Sequence, residues 1–281
     1  MPFKEYFENK ICIVTGAASG IGFALSEALL KVDAVVVMAD RDTETLESSV
    51  GRLEEYSGRA YPVIVDVTKQ EQVQQLIDNA ANQHGGIDVL FNNAGIGGTL
   101  EIHTVTLEHW RRIIEINLWG VIYGIHAALP IMRCQGRGHI VNTASIAGLM
   151  PFPYQALYAT TKYGVVGMSE CLRFELADEG ISVSVVCPGD VATRIYGTPI
   201  IGERQEVKPP PGAITAEEAA DTILNGVAKK EGIIALPERT RQLWREYWSS
   251  PEAADGFFLG IARERRRAYE SGGSYYQVPN L

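Results

Sequence analysis

Seven short apolar runs mark the chain, at residues 11–14, 34–39, 61–65, 87–91, 139–142, 181–187 and 232–236. They are rich in Val and Ile and do not alternate apolar with polar, so they predict strands covered on both faces. Longer stretches with apolar residues three to four apart lie between them, at 20–32, 43–56, 69–84, 106–133, 156–179 and 215–229. That spacing predicts helices. Alternation of strand and helix implies parallel pairing through right-handed crossovers. The expected fold is therefore α/β, a doubly wound, seven-stranded parallel sheet with helices on both faces, as one domain over residues 1–281. The periodicity lapses at about 192–214, a stretch holding Pro209-Pro210-Pro211-Gly212, which reads as a long functional loop. A polar and aromatic extension, 237–281, follows the last run.

Composition narrows the function classes. Of 281 residues, 46% are hydrophobic and 21% charged, as in a globular protein. The formal charge of −9 argues against nucleic acid or an anionic membrane as partner, though not against a local basic site. The most apolar stretch, 118–132, is broken by Gly120, Gly124, His126 and Pro130, so no membrane span is expected. The start carries charges where a secretory signal needs an apolar core. Cys12, Cys134, Cys171 and Cys187 are scattered, which suggests reduced, structural thiols and a cytoplasmic location. The histidines show no ligand spacing, so no metal is expected, and His103 and His109 read as surface residues.

The first run leads into Thr15-Gly16-Ala17-Ala18-Ser19-Gly20-Ile21-Gly22, where a helix should begin. Gly16, Gly20 and Gly22 permit a tight turn and close approach of a phosphate. The helix start at Ser19, Gly20 and Ile21 offers free N–H groups and the positive end of a dipole. The spacing is GxxxGxG rather than GxGxxG. Its place between a strand and a helix is what points to a dinucleotide pyrophosphate and a Rossmann-type fold.

Asp40 closes the second run, where a carboxylate can accept both hydroxyls of an adenosine ribose. It would repel a 2′-phosphate, which favours NAD over NADP. Arg41 dissents, since it could pair with such a phosphate, or else point to solvent or stack on adenine. Asp66 and Val67 end the third run, where adenine would lie; a helix cap is the other reading of Asp66. Asn93, Ala94 and Gly95 end the fourth and suit a close backbone approach to the cofactor, or a turn without ligand. After the sixth run, Pro188 and Gly189 leave backbone free beside a ligand, and Thr193 could bond a carboxamide or pyrophosphate. An ordinary strand-ending turn is the alternative there.

Tyr158 and Lys162 are four apart and share a helical face. Oxidising an alcohol needs a base for the hydroxyl proton. Free tyrosine, with a pKa near ~10, is too weak a base at neutral pH unless a cation favours its phenolate. A three-unit shift needs roughly 4 kcal/mol, which a lysine and an oxidised nicotinamide could supply together. Alone, this pair is common on surface helices. Ser145, after the fifth run, could bond the substrate oxygen, or cap its turn. Asn117 is a poor interior helix residue, and could hold a water in a proton relay from Lys162, or bend the helix as a buried, satisfied Asn.

The ordered set of TGAASGIG from Thr15, Asp40, Asp66, NNAG from Asn92, Asn117, Ser145, YATTK from Tyr158 and PGDVAT from Pro188 resembles the short-chain dehydrogenase/reductases, over about residues 10–236. The resemblance implies a nicotinamide-dependent oxidoreductase acting on CH–OH groups. It implies Tyr158 as acid/base, Lys162 as the group that lowers its pKa and binds ribose, Ser145 as partner of the substrate oxygen, and Asn117 as water holder. It assigns the Val191 backbone to the carboxamide, with Gly16, Ser19, Ile21, Asp40, Asp66, Val67, Asn93 and Thr193 completing the cofactor shell. It also implies a homotetramer or dimer pairing the helices at 106–133 and 156–179. Asp33 departs from the family, which usually has glycine before the second strand, and should alter only the turn. A non-catalytic NAD-binding regulator is disfavoured by the intact catalytic set. An epimerase or dehydratase is disfavoured by the absence of room for a substrate domain.

The substrate wall should come from Ile96, Ala147, Leu149, Phe152, Tyr154, Gln155, Asp190, Tyr196 and Ile200, with Ser145. Most are apolar, which suggests a lipophilic or cyclic secondary alcohol or ketone. The extension carries Phe257-Phe258-Leu259, Ile261, a basic run at 263–267 and Tyr275-Tyr276. Such an apolar cluster predicts that it packs over the 192–214 loop of its own or a neighbouring subunit.

Overall fold

The computed structural model describes residues 1, 3–202 and 207–271. Its strands are β1 (Ile11–Thr15), β2 (Val35–Asp40), β3 (Ala60–Ile64), β4 (Val89–Asn92), β5 (Gly138–Thr143), β6 (Ile181–Pro188) and β7 (Ile233–Leu236). All pair in parallel, in the order β3-β2-β1-β4-β5-β6-β7. The helices are α1 (Lys4–Phe7), α2 (Gly20–Leu30), α3 (Thr43–Gly51), α4 (Gln70–His84), α5 (Leu107–Ile114), α6 (Gly120–Gln135), α7 (Ala156–Glu175), α8 (Ala216–Ala228), α9 (Glu238–Ser249) and α10 (Asp255–Glu270).

The two faces of the sheet have separate cores. In β1, Cys12 and Val14 pack with Phe23 of α2, Leu46 of α3 and Leu224 of α8. Ile13, between them, packs with Ile77 of α4, Ile125 of α6 and Val165 of α7. Alternate side chains leave a strand on opposite faces, and both faces here are covered by helices, so the strands show no polar alternation. From β1 the chain builds outward to β3, then returns to place β4 on the other side of β1. This reversal opens a crevice at the carboxyl ends of the strands.

The stretch 106–133 is one continuous helical run, α5 and α6 joined by a π turn at Glu115–Trp119. Its apolar window, with a mean hydropathy of 1.3, is half buried in the fold, packed against α4 and α7. Asp33 takes a left-handed φ of 67°, the conformation for which glycine is usual. Backbone bonds from Asp33 N to the Leu30 carbonyl and from Asn9 N to the Asp33 carbonyl, both at 3.1 Å, hold the turn, and half-exposed ion pairs reach Asp33 from Arg59 at 2.9 Å and Lys4 at 3.4 Å.

The extension corrects one expectation. Its described part folds as α9 and α10, and within the chain these rest against the segment between β5 and α7, not over the chain's own 192–214 loop. Trp248 donates to the Leu149 carbonyl at 3.1 Å, and Phe258 meets Phe152 edge-on at 5.8 Å. Toward the loop, the bond is from Arg239 to the Gly212 carbonyl at 2.8 Å. Tyr275 and Tyr276 lie outside the described residues. The four cysteines are all free, Cys12 and Cys187 buried, Cys134 and Cys171 exposed.

Candidate active site

A cleft of about 660 Å³ opens at the carboxyl ends of the strands. Gly16, Ser19, Gly20 and Ile21 form one end, and Asp40, Arg41, Asp66 and Val67 lie beside them. Asn93, Ala94, Gly95, Pro188, Gly189, Val191 and Thr193 carry the lining on to Ser145, Tyr158 and Lys162. Residues from seven parts of the sequence thus meet along one surface.

The glycine turn is built around backbone. Gly16 has φ 69° and Gly20 φ 56°, both left-handed, and a Cβ on Gly16 would sit 2.9 Å from Ala94 Cα. Gly22 does not line the cleft; it lies beneath the turn, where a Cβ would strike the Gly16 carbonyl. Ser19 caps α2 without a side-chain bond, so the helix N-terminus is left to a ligand. Thr193 closes over Gly20, with a Cβ there 3.1 Å from its methyl group. A backbone cradle at a helix start fits a dinucleotide pyrophosphate.

Asp40 turns its carboxylate to this cradle. Its Oδ2 accepts from Ala18 N and its Oδ1 from Asp42 N, both at 3.0 Å. Arg41 is exposed, and its charge acts on Asp66. Asp66 does not cap α4; its Oδ1 accepts from Thr68 N at 3.0 Å and from the Thr68 hydroxyl at 2.8 Å. Burial pushes this carboxyl up, but the two Thr68 bonds and the charges of Arg41 and Lys69 bring it below its usual range.

At the other end, Lys162 is 3% exposed and its Nζ donates to the Thr143 carbonyl at 2.9 Å. The ammonium is 5.5 Å from the centre of the Tyr158 ring. Burial pushes this lysine down to about 8, against a small opposing effect of Cys187. Ser145 is placed at the cleft and also caps its turn, its Oγ accepting from Ala147 N at 3.2 Å and donating to the Pro188 carbonyl at 3.4 Å.

Asn117 lies fully buried behind the lining, within the π turn. Its Oδ1 accepts from Ile96 N at 2.8 Å, and its Nδ2 donates to the Ile96 carbonyl at 2.9 Å and to Thr161 Oγ1 at 3.4 Å. It therefore pins the 93–96 strand exit. A Cβ on Gly95 would lie 3.2 Å from Asn117 Oδ1 and 3.6 Å from Lys162 Nζ, so the glycine leaves open the gap between these two groups.

A family model described as short chain dehydrogenase matches residues 10–199. The chain belongs to the short-chain dehydrogenase/reductase family. It is 38% identical to an uncharacterised oxidoreductase of Listeria monocytogenes over 193 residues, 68% of this chain and 78% of that one. It is 37% identical to the 3-oxoacyl-[acyl-carrier-protein] reductase of Thermotoga maritima over 186 residues, 66% of this chain and 76% of that one. The crystal structure of a short-chain dehydrogenase/reductase from Burkholderia phymatum in complex with NAD superposes with a TM-score of 0.76 at 27% identity, covering 98% of this chain and 99% of that one. The protein is thus an oxidoreductase of carbonyl or alcohol groups with a nicotinamide dinucleotide as its class of cofactor.

Of the residues expected to form the substrate wall of this dehydrogenase/reductase, Ile96, Phe152, Gln155, Asp190, Tyr196 and Ile200 line the cleft. Ala147, Leu149 and Tyr154 do not. Ala147 and Leu149 are buried in the core under α7, and Tyr154, at φ 68°, turns its side chain to Arg266 of α10. Tyr196 donates to Asp190 at 3.0 Å, and burial followed by that carboxylate pushes the phenol up, so it stays a neutral donor.

Two site-building residues escaped the sequence reading. Thr15 Oγ1 accepts from Asn93 N and Ala94 N, each at 3.0 Å, and donates to the Phe91 carbonyl at 3.3 Å. Thr143 donates to Asn93 Oδ1 at 3.3 Å while its carbonyl holds Lys162. Each is a threonine at the last position of a strand that enters the site. That shared polar ending was the available signal. The 192–202 stretch contributes further lining at Arg194, Ile195 and Thr198.

Proposed function

We propose that the protein interconverts a secondary alcohol and its ketone with NAD(H), and that the substrate is lipophilic or cyclic. The observation that carries this reading is the buried Lys162 ammonium beside Tyr158, in one cleft with Ser145 and the glycine cradle. Bound NAD would supply the hydride acceptor, and NADH the donor. The cradle of Gly16, Ser19, Gly20 and Ile21 would hold the pyrophosphate, and the strand exits at Ala94, Gly95, Val191 and Thr193 the rest of the molecule. Asp40 would accept the adenosine ribose hydroxyls, which supports NAD over NADP.

In oxidation, Tyr158 as phenolate takes the hydroxyl proton while the C–H bond yields its electron pair and the C=O bond forms. In reduction it returns that proton to the carbonyl oxygen. Ser145 Oγ holds that oxygen and stabilises charge as it develops. Lys162, charged below about 8, favours the phenolate. The gap beside Gly95, between Asn117 and Lys162, supports a water there relaying the proton onward.

The wall of Ile96, Phe152, Tyr196 and Ile200 supports an apolar substrate. Trp119, Tyr163 and Phe174 stand 45%, 40% and 69% exposed on the long helices, which supports a homo-oligomer paired through them. Scattered free thiols and the acidic balance support a cytoplasmic location. The test is absorbance of the reduced cofactor, with NAD and NADP, across cyclic, linear and sugar alcohols and their ketones. Turnover of cyclic substrates with NAD is expected. Preference for small sugars sinks the substrate class, and turnover with NADP alone sinks the cofactor choice.

A further inference from the structure

The segment from Leu149 to Gln155 forms one wall of the cleft, through Phe152 and Gln155. No helix or strand runs through 151–155, so its shape depends on what grips it. From the cleft side, Leu100 N donates to the Tyr154 carbonyl at 2.8 Å, and Gln155 Nε2 to Thr99 Oγ1 at 3.3 Å. From the outer side the grip comes from the C-terminal helices. Trp248 Nε1 donates to the Leu149 carbonyl at 3.1 Å, and Arg265 Nη1 to the Pro153 carbonyl at 2.6 Å. These two carbonyls flank Phe152 in sequence. Phe258 rests edge-on against the Phe152 ring at 5.8 Å, and Tyr247 backs Phe258 at 5.7 Å.

Two features mark this contact as more than surface cover. Arg265 is 1% exposed, and a guanidinium is rarely so deep unless its bonds fix something in place. Tyr154 is held at φ 68°, a conformation that persists in a bulky residue only when its surroundings impose it.

We infer that α9 and α10 form a clamp in which Trp248, Arg265 and Phe258 are positioning residues that set the place of Phe152, and with it the width of the substrate end of the cleft. The inference rests on reading that cleft as the site of ketone reduction. Trp248, Arg265 and Phe258 act on Leu149, Pro153 and Phe152, whereas α9 meets the cofactor lining through Thr240 against Gly189. Substituting the three should therefore alter substrate fit and leave cofactor binding alone. Displacements of an ångström at such a wall can change rates by about 100-fold.

The test uses the full-length enzyme with Trp248→Phe, which keeps the ring and deletes the donor, and Phe258→Ala. Arg265→Lys is the third variant, because it keeps the charge but shortens the fork, whereas Arg265→Ala could unfold α10. The probes are cyclohexanone, the bulkier 2-decalone, and NADH. Expected are a KM for cyclohexanone raised about tenfold, a 2-decalone to cyclohexanone preference in kcat/KM shifted about fivefold or more, and an NADH Kd within about twofold of the parent. Unchanged KM and preference overturn the clamp, as does an NADH Kd that moves in step with the ketone KM. If the parent reduces neither ketone, the proposed reaction fails and hydrogen exchange decides the clamp. Exchange in residues 148–156 about tenfold faster in the variants, with residues 15–24 unchanged, supports it; equal exchange in variants and parent overturns it.

Discussion

Lys162 gives its hydrogen bond to the carbonyl of Thr143 at 2.9 Å, from a position with almost no contact with water. The fold holds this lysine at about 8, below the usual value of 10.5. Between those values the unfolded chain keeps a proton that the folded chain has shed, so stability rises with pH there. Below about pH 8 the fold carries the cost of the buried charge, about 3 kcal/mol.

Lys162→Met should therefore stabilise the protein at pH 7. Leaving the Thr143 carbonyl without its partner costs about 1 kcal/mol, so a net gain of about 2 kcal/mol is expected. Turnover should fall by about 100-fold or more, because Tyr158 loses the cation that favours its phenolate. Urea unfolding and steady-state kinetics on the same preparation check both halves. A destabilised variant would mean that the lysine's bond outweighs its desolvation.

Asp40 sets the second prediction. Asp40→Ser removes the charge that opposes a 2′-phosphate, a repulsion of about 2 kcal/mol. The NADP to NAD ratio of kcat/KM should rise about 30-fold. Loss of the acceptor for Ala18 N should cost about 1 kcal/mol of stability. An unchanged ratio in cofactor competition kinetics would move the choice of cofactor from Asp40 to Arg41.

His139 makes the protein sensitive to acid. Ser184 donates to the Glu231 carbonyl at 2.6 Å, so it must accept from His139 Nε2–H at 2.9 Å. Nδ1 is then left to accept from the Tyr6 hydroxyl at 2.8 Å. The imidazole is neutral in this arrangement, and burial, with Lys10 and Lys230, pushes it down to about 3. An unfolded histidine takes up a proton near pH 6.5, which the folded one refuses until about 3. Stability should thus be lost as pH falls through that window, by up to about 1.4 kcal/mol per unit. The slope of unfolding free energy against pH should be shallower by about that amount in His139→Gln. Parallel slopes would exclude His139 as the source.

Asp33 tests the left-handed turn before β2. Asp33→Gly relieves the backbone but gives up two half-exposed ion pairs, each worth well under about 1 kcal/mol. Asp33→Ala gives up the same pairs and keeps an unfavourable φ of 67°. The alanine variant should melt as the less stable of the two by about 1 kcal/mol. Equal melting would show that this turn imposes no strain.

The parts of the fold legible in the sequence were those with local causes. Val- and Ile-rich runs without alternation can be strands only if both faces are covered, and the separate partners of Ile13 and Val14 show that they are. Tyr158 and Lys162 meet because four residues make about one helical turn. What was not legible depended on distant contacts. Whether Phe152 or Tyr154 faces the cleft is decided by helices about a hundred residues later, and no spacing within 149–155 records it. Asn117 was noticeable as a poor helix residue, but the five-residue turn that contains it has no sequence period of its own.

That π turn also bears on how the chain is aligned with its relatives. Such a turn holds one residue more than an α turn, so the helix beyond it is advanced by about 100°. Gly120 and Gly124 lie on the far side, where a Cβ on the first would sit 3.1 Å from Val67 and one on the second would strike Asn92. A single-residue gap placed within 115–119 would therefore not be a local event. It would swing both glycines away from the strand exits they fit and put larger neighbours in their place, so a relative that lacks this residue has to have rebuilt the seam between helix and sheet.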